Sequence, residues 1–598
     1  METKVERQAI KGGEFLIRET LPEEIFIPEE FSEEQKMMAQ ACQDFIDKEV
    51  FPYQDRIDNM EEGFMAGLLT KAGELGLLGV SIPEKYGGLG MSFNTSMLIA
   101  EVIGSAGSFS TAQGAQTGIG TLPILYYGTE EQKQKYLPGL ASAELKTCYC
   151  LSEPDAGSDA NSAKTKAVLT EDGKFYSITG QKMWISNGGF ADVLLVFAKI
   201  EDDKDLSTFI LERSFDGITM NEEEKKMGIK GSSTRQIFFN DCKVPVENLL
   251  GERGQGFKIA LNVLNIGRIK LGVAAIGACK HLIDLSVNYG IERKQFGKSI
   301  VEFGAIQHKL AKMATKTYAC ESASYRAGQD IEDKIDALIK EGMDEQQAKL
   351  KGLEEFAIEC AIIKVHGSEI LDFAVDEGVQ IFGGMGYSAE APMERAYRDA
   401  RICRIYEGTN EINRLMLVGI LIKRAMKGEL DVMGKAMAVG KELQSVPSFG
   451  NGQGGGLFTK EKETIKNLKK IILMVAGDAV QTLGVAMKDE QEILMNVADM
   501  MIEIYLAEST ILRTEKLVAL HGEEACESQI NMSQLYLYEA VDKIAIAAKE
   551  ALASFSSGDK QKVMLMGLKR FTKTELVNTK KLRRQIARKM IDNKGYAF

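Results

Sequence analysis

Histidine, tryptophan and proline are scarce in this chain of 598 residues, which contains 4, 1 and 10 of them. The four histidines (His281, His308, His366 and His521) stand far apart in the sequence, so we expect no metal site. Since no apolar run approaches ~18 residues, no transmembrane helix is expected. Acidic residues outnumber basic ones, and the net charge of −13 argues against general nucleic-acid binding.

Cysteine is present but scattered. Among nine cysteines only Cys148 and Cys150 lie close together, and their spacing suits neither a zinc site nor a redox pair. We therefore expect free thiols in a reducing compartment. The first residues, Met1–Arg7, carry early acids and no apolar stretch, which is typical of neither a secretory signal nor a transit peptide. These features predict a cytoplasmic protein.

The length predicts three to four domains. Helical periodicity dominates two long regions, and between them short runs rich in Val, Ile, Phe and Tyr predict a small antiparallel barrel or sandwich. No dinucleotide-binding fingerprint follows a predicted strand. The predicted organisation is an arm (1–30), a helical domain (31–145), a β domain (146–250), a second helical domain (251–428), a flexible linker (429–460) and a helical extension (461–598). The predicted strands are 163–170, 174–186, 192–200, 206–213 and 235–244.

A single carboxylate, Glu407, stands in the stretch Arg398–Arg414, just before a Gly-Thr-Asn break. Apolar residues after the break recur at helical spacing, so Thr409 or Asn410 is the predicted N-cap and Glu407 lies on the loop before it. Burial would raise the pKa of Glu407, as a base for a weakly acidic C–H group requires. Taken alone, a glutamate at such a position is more often a solvated loop residue.

Two further stretches leave alternatives open. Small residues dominate 105–120, which predicts either close helix packing or a cavity left by missing side chains. Residues 569–589 contain nine basic residues and one acid, Glu575. That run is either a solvated surface or a contact with an anionic membrane or an acidic partner.

Five motifs in order resemble the acyl-CoA dehydrogenase family over residues ~35–425. The remaining ~170 residues resemble the extension of its very-long-chain members. The resemblance implies a mainly α, α+β fold: a helical domain, a middle antiparallel β barrel, a four-helix domain and an extra C-terminal helical domain. The motifs are Tyr149–Asp159, Gln181–Gly189, Arg293–Gly297, Gln380–Tyr387 (followed by Glu390, Arg395 and Asp399) and the stretch around Glu407.

This resemblance implies FAD-dependent α,β-dehydrogenation of acyl-CoA thioesters. Glu407 would remove the α proton, while a flavin accepts the β hydride that no side chain can take. The N–H of Glu407, with a ribityl hydroxyl of FAD, would bind the thioester oxygen. Some family members place their base in the stretch matching Leu264–Arg268, which here contains no carboxylate. Electron-transfer flavoprotein is the implied acceptor and a homodimer the implied assembly.

The family motifs also imply binding residues, with part of the FAD contact coming from the neighbouring subunit. Arg293 would meet the FAD pyrophosphate, and Gln380, Gly383 and Gly384 the adenine end. The implied FAD contacts are Tyr149, Leu151, Ser152, Gly157, Ser158, Trp184, Ile185, Ser186, Arg293, Gln295, Phe296, Gln380, Gly383, Gly384, Thr409 and Glu411. The implied substrate contacts are Ser158, Asn265, Arg268 and Gly408, with Gly114, Ala115 and Gly118 in the acyl pocket.

Missing side chains at Gly114, Ala115 and Gly118 would lengthen the acyl pocket, which predicts long or very long acyl chains. Two alternatives stay open. An acyl-CoA oxidase would pass the electrons to oxygen, and no single residue excludes it. A scaffold protein of a membrane complex would keep the fold without the chemistry, against which the intact Glu407 argues.

Overall fold

The computed structural model describes residues 7–444 and 456–598. In the first helical domain, side chains next to the N-termini of two helices cap them. Ser32 and Gln35 form a reciprocal capping box before the first helix, and Thr129 and Gln132 form another before the seventh. The helices are α1 (Glu33–Phe45), α2 (Gln54–Asp58), α3 (Phe64–Glu74), α4 (Phe93–Ile103), α5 (Ser108–Gly114), α6 (Leu122–Tyr127) and α7 (Glu130–Ser142), with a π turn at Ala115–Gly120.

The middle domain is one eight-stranded sheet. It contains the five predicted strands with small differences in their ends, and three further strands (β1, β6 and β8) that were not predicted. The strands are β1 (Thr147–Cys150), β2 (Lys166–Leu169), β3 (Phe175–Ser186), β4 (Val193–Ile200), β5 (Ser207–Glu212), β6 (Ile218–Met220), β7 (Thr234–Pro245) and β8 (Leu249–Leu250), in the order β6-β7-β3-β2-β4-β5-β8 with β1 on β4.

The sheet is mainly antiparallel, but two pairings are parallel. Both β1 and β2 pair with β4 in parallel, β1 along Val193–Val196 and β2 at Lys199 and Ile200. Since these two strands lie end to end along one edge of β4, the chain between them must leave the sheet. Residues 151–165 form this excursion, which carries the first family motif.

The second helical domain is built from four long helices. They pack closely through glycine: a Cβ on Gly367 of α11 would come within 2.7 Å of the Gly272 Cα in α8. The elements are α8 (Gly256–Glu292), the hairpin β9 (Lys294–Gln295) and β10 (Lys298–Ser299), α9 (Gly304–Lys340), α10 (Glu345–Glu355), α11 (Ala357–Phe382), α12 (Pro392–Ala400) and α13 (Asn410–Met426).

The linker prediction for 429–460 is wrong over its first half. Residues Val432–Gln444 form a helix, α14, because Val432, Ala436, Val439 and Leu443 provide an apolar face that packs into the core. The glycine-rich part of the predicted linker, 445–455, lies outside the described residues.

The extension consists of α15 (Thr459–Leu483), α16 (Gln491–His521), α17 (Glu527–Phe555), α18 (Gly558–Phe571) and α19 (Thr579–Asn593). The predicted arm is not an exposed tail but packs against this extension. It contains three short 3-10 turns, and its Phe15 and Leu16 are buried in the main core while Ile25 and Ile27 pack with Leu512 and Leu517 of α16.

The basic run 569–589 is folded onto the protein. Ile586 and Ala587 of α19 are buried in the core, and Arg583 pairs with Glu539 of α17. Leu576 remains 94% exposed. By length and composition, Gly256–Glu292 and Thr459–Asp489 could each cross a membrane, but this is weak evidence because core helices share the same composition.

Candidate active site and cofactor-binding surfaces

Glu407 lies on the loop between α12 and α13, as predicted. Thr409 is the N-cap of α13, and its hydroxyl accepts a hydrogen bond from the Ile412 N–H at 3.2 Å. Glu407 itself has a left-handed backbone with φ of +60°, which costs about 1–3 kcal/mol for a residue with a side chain. The surrounding structure must therefore hold this conformation in place.

The carbonyl groups of this loop are held by three buried side chains. Lys364 of α11 donates to the Gly408 oxygen at 2.8 Å and to Asn410 Oδ1 at 2.7 Å. Asn413 donates to the Gly408 oxygen at 2.9 Å, and Arg268 donates to the Glu407 oxygen at 3.2 Å. Among the described residues the Glu407 N–H donates to no acceptor, so it is free to bind a ligand.

The Glu407 carboxyl lies directly over α8. A Cβ on Gly267 would come within 2.6 Å of Glu407 Oε2, so only glycine leaves room for the carboxyl. The residue is half-buried, yet its Oε2 is sealed from solvent and has no hydrogen-bond partner in the described chain. Burial raises the pKa of Glu407 to about 7, although Arg268 and Lys364 act to lower it. A carboxylate with this pKa and a free oxygen is suited to act as a base.

A cavity opens in front of this carboxyl, with about 1100 Å³ of empty space including its open mouth. Gly114, Ala115 and Gly118 line it together with Ser186 at the end of β3. A Cβ on Gly114 or Gly118 would meet nothing within 4 Å, so these missing side chains do enlarge the cavity. Gly120 instead packs against Thr147. The small-residue stretch therefore opens a cavity at Gly114 and Gly118 and allows close packing at Gly120.

The predicted flavin-binding loop is anchored by a buried ion pair. Lys182 Nζ lies 2.7 Å from Glu153 Oε1 and also donates to the Leu151 carbonyl at 3.1 Å. Glu153 accepts the N–H groups of Lys164 and Thr165 at 2.6 and 3.1 Å. This pair fixes both ends of 151–165, so that Gly157 and Ser158 project to solvent.

The second predicted flavin stretch meets this loop. Met183 N–H donates to the Ser152 carbonyl at 2.9 Å. A bulge between Lys182 and Ile185 gives Trp184 a φ of +62° and leaves its side chain 57% exposed, which is unusual for the only tryptophan. Ile185 is buried on the opposite side of the bulge.

The predicted pyrophosphate and adenine contacts form a separate surface concavity. Arg293, Gln295 and Phe296 face Gly383 and Gly384 across it, and Tyr289 stacks on Phe382 at 4.0 Å below them. Gln380 is exposed on the last turn of α11. Phe296, at the tip of the β9–β10 hairpin, is 93% exposed. Because all these groups come from one chain, one subunit presents the whole set.

The structure shows the surroundings of three further residues with predicted roles, Arg268, Asn265 and Glu411. Arg268 and Asn265 are both buried, and Arg268 Nη1 donates to Asn265 Oδ1 at 2.8 Å as well as holding the Glu407 loop. Arg268 therefore positions Glu407, and the substrate contacts of Arg268 and Asn265 stay predictions. Glu411 is exposed in the first turn of α13, and its contact with FAD stays a prediction.

Several residues of the site were not found in the sequence. Lys364, Asn413 and Gly267 support Glu407 from α11, α13 and α8, and Lys182 pairs with Glu153 from a strand 29 residues further along. Lys182, Asn413 and Gly267 lie inside the stretches Gln181–Gly189, Arg398–Arg414 and Leu264–Arg268, but no role was predicted for them, and Lys364 lies outside every predicted motif. Glu153 also lies inside a motif, and its pairing with Lys182 could not be predicted because it depends on how the two segments pack.

Four family models match the chain in succession. The acyl-CoA dehydrogenase N-terminal domain matches 32–144 and the middle domain matches 148–242. Two models, both described as the acyl-CoA dehydrogenase C-terminal domain, match 254–421 and 467–570.

Individual relatives match almost the whole chain. A probable acyl-CoA dehydrogenase of Bacillus subtilis (strain 168) is 46% identical over 586 residues, which cover 98% of both chains. The mitochondrial very long-chain specific acyl-CoA dehydrogenase of Rattus norvegicus is 35% identical, covering 88% of this chain and 80% of its own. A crystal structure of an acyl-CoA dehydrogenase complexed with FAD from Bacillus anthracis has a TM-score of 0.96 and 46% identity, covering 99% of this chain and 100% of its own. The chain belongs to the acyl-CoA dehydrogenase family.

Proposed function

We propose that this protein is an FAD-dependent acyl-CoA dehydrogenase that converts long- or very-long-chain fatty acyl-CoA to trans-2-enoyl-CoA. The observation that carries the proposal is the free Glu407 carboxyl oxygen at a cavity lined by Ser186 and by the small residues of α5 and of the π turn after it. Bound FAD would supply the acceptor for the β hydride.

The residues present fit such a cofactor. Gly157, Gly383 and Gly384 leave open space where a side chain would stand, and Trp184 and Phe296 offer exposed aromatic surface. The loop 151–158 and the bulge at Trp184 would hold the ring system. The concavity around Arg293 would hold the pyrophosphate and adenine of a second subunit's FAD, so we propose a homodimer with shared sites.

Glu407 accepts the α proton of the substrate on its free carboxyl oxygen. Its raised pKa favours the proton transfer, because burial destabilises the charged carboxylate that reacts. The free N–H of Glu407 binds the thioester oxygen and stabilises the charge that develops there. Lys364, Asn413 and Arg268 hold the loop so that neither group reorients during the reaction.

Long acyl chains are favoured by the space beyond this carboxyl. A second cavity of about 970 Å³, open mouth included, adjoins the first, and Ser110, Thr111, Leu271, Ala274 and Tyr406 line both. Each methylene group that enters such apolar space contributes about 0.8 kcal/mol.

We propose electron-transfer flavoprotein as the acceptor and the cytoplasm as the compartment, where the nine buried free thiols would remain reduced. A scaffold role has less support, because a free base and an open cavity would be unnecessary in a protein without chemistry. Reoxidation of the reduced protein by air on the timescale of turnover would instead favour the oxidase.

The test is an anaerobic titration with palmitoyl-CoA, following the flavin absorbance. We expect the oxidised band to bleach in the wild type. The variant Glu407→Gln should bind palmitoyl-CoA without bleaching, with turnover lower by about 10²–10⁴-fold, since the proposed base is removed. A colourless protein that FAD cannot reconstitute, or bleaching by Glu407→Gln at the wild-type rate, would contradict the proposal.

Turnover of butyryl-, octanoyl- and palmitoyl-CoA then ranks the chain lengths, and an optimum at butyryl-CoA would exclude a long-chain enzyme.

A further inference from the structure

One side chain in the acyl cavity is not explained by a saturated fatty acyl group. Lys270 lines the cavity from α8, on the same helix face as Gly267, Leu271 and Ala274. Gly267 lies under the Glu407 carboxyl. Lys270 comes three residues after it, which is about 4.5 Å further along the helix axis. The lysine therefore stands at the wall of the cavity about one helical turn from the reacting carbons.

Lys270 has no partner in the protein. Among residues 7–444 and 456–598 no carboxylate, carbonyl or hydroxyl forms a hydrogen bond or ion pair with its ammonium group. The other buried lysines nearby are paired: Lys280 lies 2.6 Å from Glu101, and Lys364 binds the Glu407 loop. Burial lowers the pKa of Lys270 to about 8, and no acidic group acts to raise it.

Glu407 is not the missing partner. The cations that act on the Glu407 carboxyl are Arg268 and Lys364, and Lys270 is not among them. The Lys270 ammonium therefore stands apart from the base. Lys270 is half-buried and its ammonium is open to the cavity, so an anion of the ligand could pair with it.

The surroundings can also donate hydrogen bonds to an anion. The hydroxyls of Ser81 and Ser110 line the same cavity, and neither forms a side-chain hydrogen bond with a described residue. Ile99, Ile103 and Leu271 provide apolar surface for a hydrocarbon chain in the same space. The cavity thus combines an apolar wall with one unpaired cation and free hydroxyls.

We propose that Lys270 binds the terminal carboxylate of ω-carboxyacyl-CoA thioesters, so that the protein dehydrogenates dicarboxylic acyl chains as well as fatty acyl chains. This rests on the proposed function, since it concerns the acyl end of the same substrate site. The carboxylate pairs with the ammonium and accepts hydrogen bonds from the serine hydroxyls. A chain of medium length carries its carboxylate to this turn of α8, whereas a long saturated chain passes it.

The test compares suberoyl-CoA with octanoyl-CoA, which has the same number of acyl carbons but no second carboxylate. We expect the wild type to dehydrogenate both. In Lys270→Met, kcat/KM for suberoyl-CoA should fall at least about tenfold, because a hydrogen-bonded charge pair is lost, while kcat/KM for octanoyl-CoA stays equal or rises. Lys270→Arg should retain most of the suberoyl-CoA activity. Lys258→Met, which removes an exposed lysine of the same helix, should change neither.

The outcomes separate this inference from the proposed function. If the wild type oxidises octanoyl-CoA but not suberoyl-CoA, or if Lys270→Met lowers both substrates by the same factor, the assignment of Lys270 is overturned. If no acyl-CoA bleaches the flavin of the wild type, the proposed function fails and this inference fails with it.

Discussion

At the scale of single residues, Glu407 combines a strained backbone with an unpartnered carboxyl oxygen. Both features cost free energy that a purely structural loop would avoid. Burial raises the pKa of Glu407, and the cations Arg268 and Lys364 on neighbouring helices limit the increase. The residue is thus kept close to half-ionised at neutral pH.

This pKa predicts how the rate depends on pH. Glu407 must be deprotonated to accept the α proton, so kcat/KM should rise with pH, with an apparent pKa near 7, and level off above it. Steady-state rates with octanoyl-CoA between pH 5.5 and 9 measure this limb. A flat profile, or a limb near the ordinary glutamate pKa of about 4.3, would contradict a buried base.

The position of Glu407 was predictable from the sequence, whereas its environment was not. The Gly-Thr-Asn break and the helical spacing after it place the residue on a loop and Thr409 at an N-cap, because capping is a local rule. The glycine beneath the carboxyl, Gly267, is 140 residues away along the chain, and its role depends on how α8 and the loop pack.

At the scale of elements, α11 supports the catalytic loop chiefly through Lys364, while Ser368 and Glu369 bind Asn410 beside it. Lys364 is fully buried, and its ammonium is the link between this helix and the carbonyl of Gly408. Burial lowers the pKa of Lys364 to about 8, so it still carries positive charge at neutral pH. It acts on the reaction through Glu407, as a positioning residue.

Replacing Lys364 with Met should therefore change the pH profile as well as the rate. Loss of a cation that lowers the Glu407 pKa should move the rising part of the pH profile to higher pH. The Gly408 oxygen and Asn410 Oδ1 each lose one of two donors, at about 0.5–1.5 kcal/mol each, because Asn413 and Ser368 still donate to them. We expect kcat to fall about tenfold or more. The measurement is the pH profile of the wild type and of Lys364→Met, with Lys351→Met as the control. Lys351 is an exposed lysine of α10. A lower rate with an unmoved limb would indicate a structural role alone.

The elements themselves were predictable to different extents. Short runs rich in Val, Ile, Phe and Tyr marked five of the strands, because β-branched and aromatic residues favour strands locally. The parallel pairing of β1 and β2 with β4 was missed, since pairing is decided by contacts between distant segments. α14 was missed because Gly434 and Gly440 weaken its local helix propensity, and packing of its apolar face overrides that weakness.

At the scale of the whole molecule, the arm, the catalytic helices and the extension share one ionic cluster. Arg513 of α16 lies 2.6 Å from Glu29 of the arm and 2.7 Å from Glu321 of α9, and it is fully buried. Arg326 of α9 reaches back to Glu508 of α16 at 3.1 Å. The extension is therefore joined to the catalytic core by charges in its interior as well as by apolar contacts.

Removing Arg513 should destabilise the molecule as a unit. In Arg513→Met, Glu29 and Glu321 lose their shared partner, and breaking a buried pair from one side costs about 3–5 kcal/mol. Lys280 and Arg513 lower the pKa of Glu321, so this stabilisation is present above the ordinary glutamate pKa and is lost as the pH falls toward the lowered value.

Denaturant unfolding at pH 7 measures this loss, with Lys460→Met as the matched control. Lys460 pairs with Glu575 at 2.8 Å on the surface, and an exposed pair of this kind contributes about 0–1 kcal/mol. We expect the denaturant midpoint of Arg513→Met to fall well below that of the control. Flavin absorbance and helical circular dichroism should be lost in the same transition, because α9 belongs to the catalytic core and also carries part of the ionic cluster. A separate early transition of the extension, with the flavin still bound, would show that the cluster stabilises the extension alone and that the catalytic core folds without it.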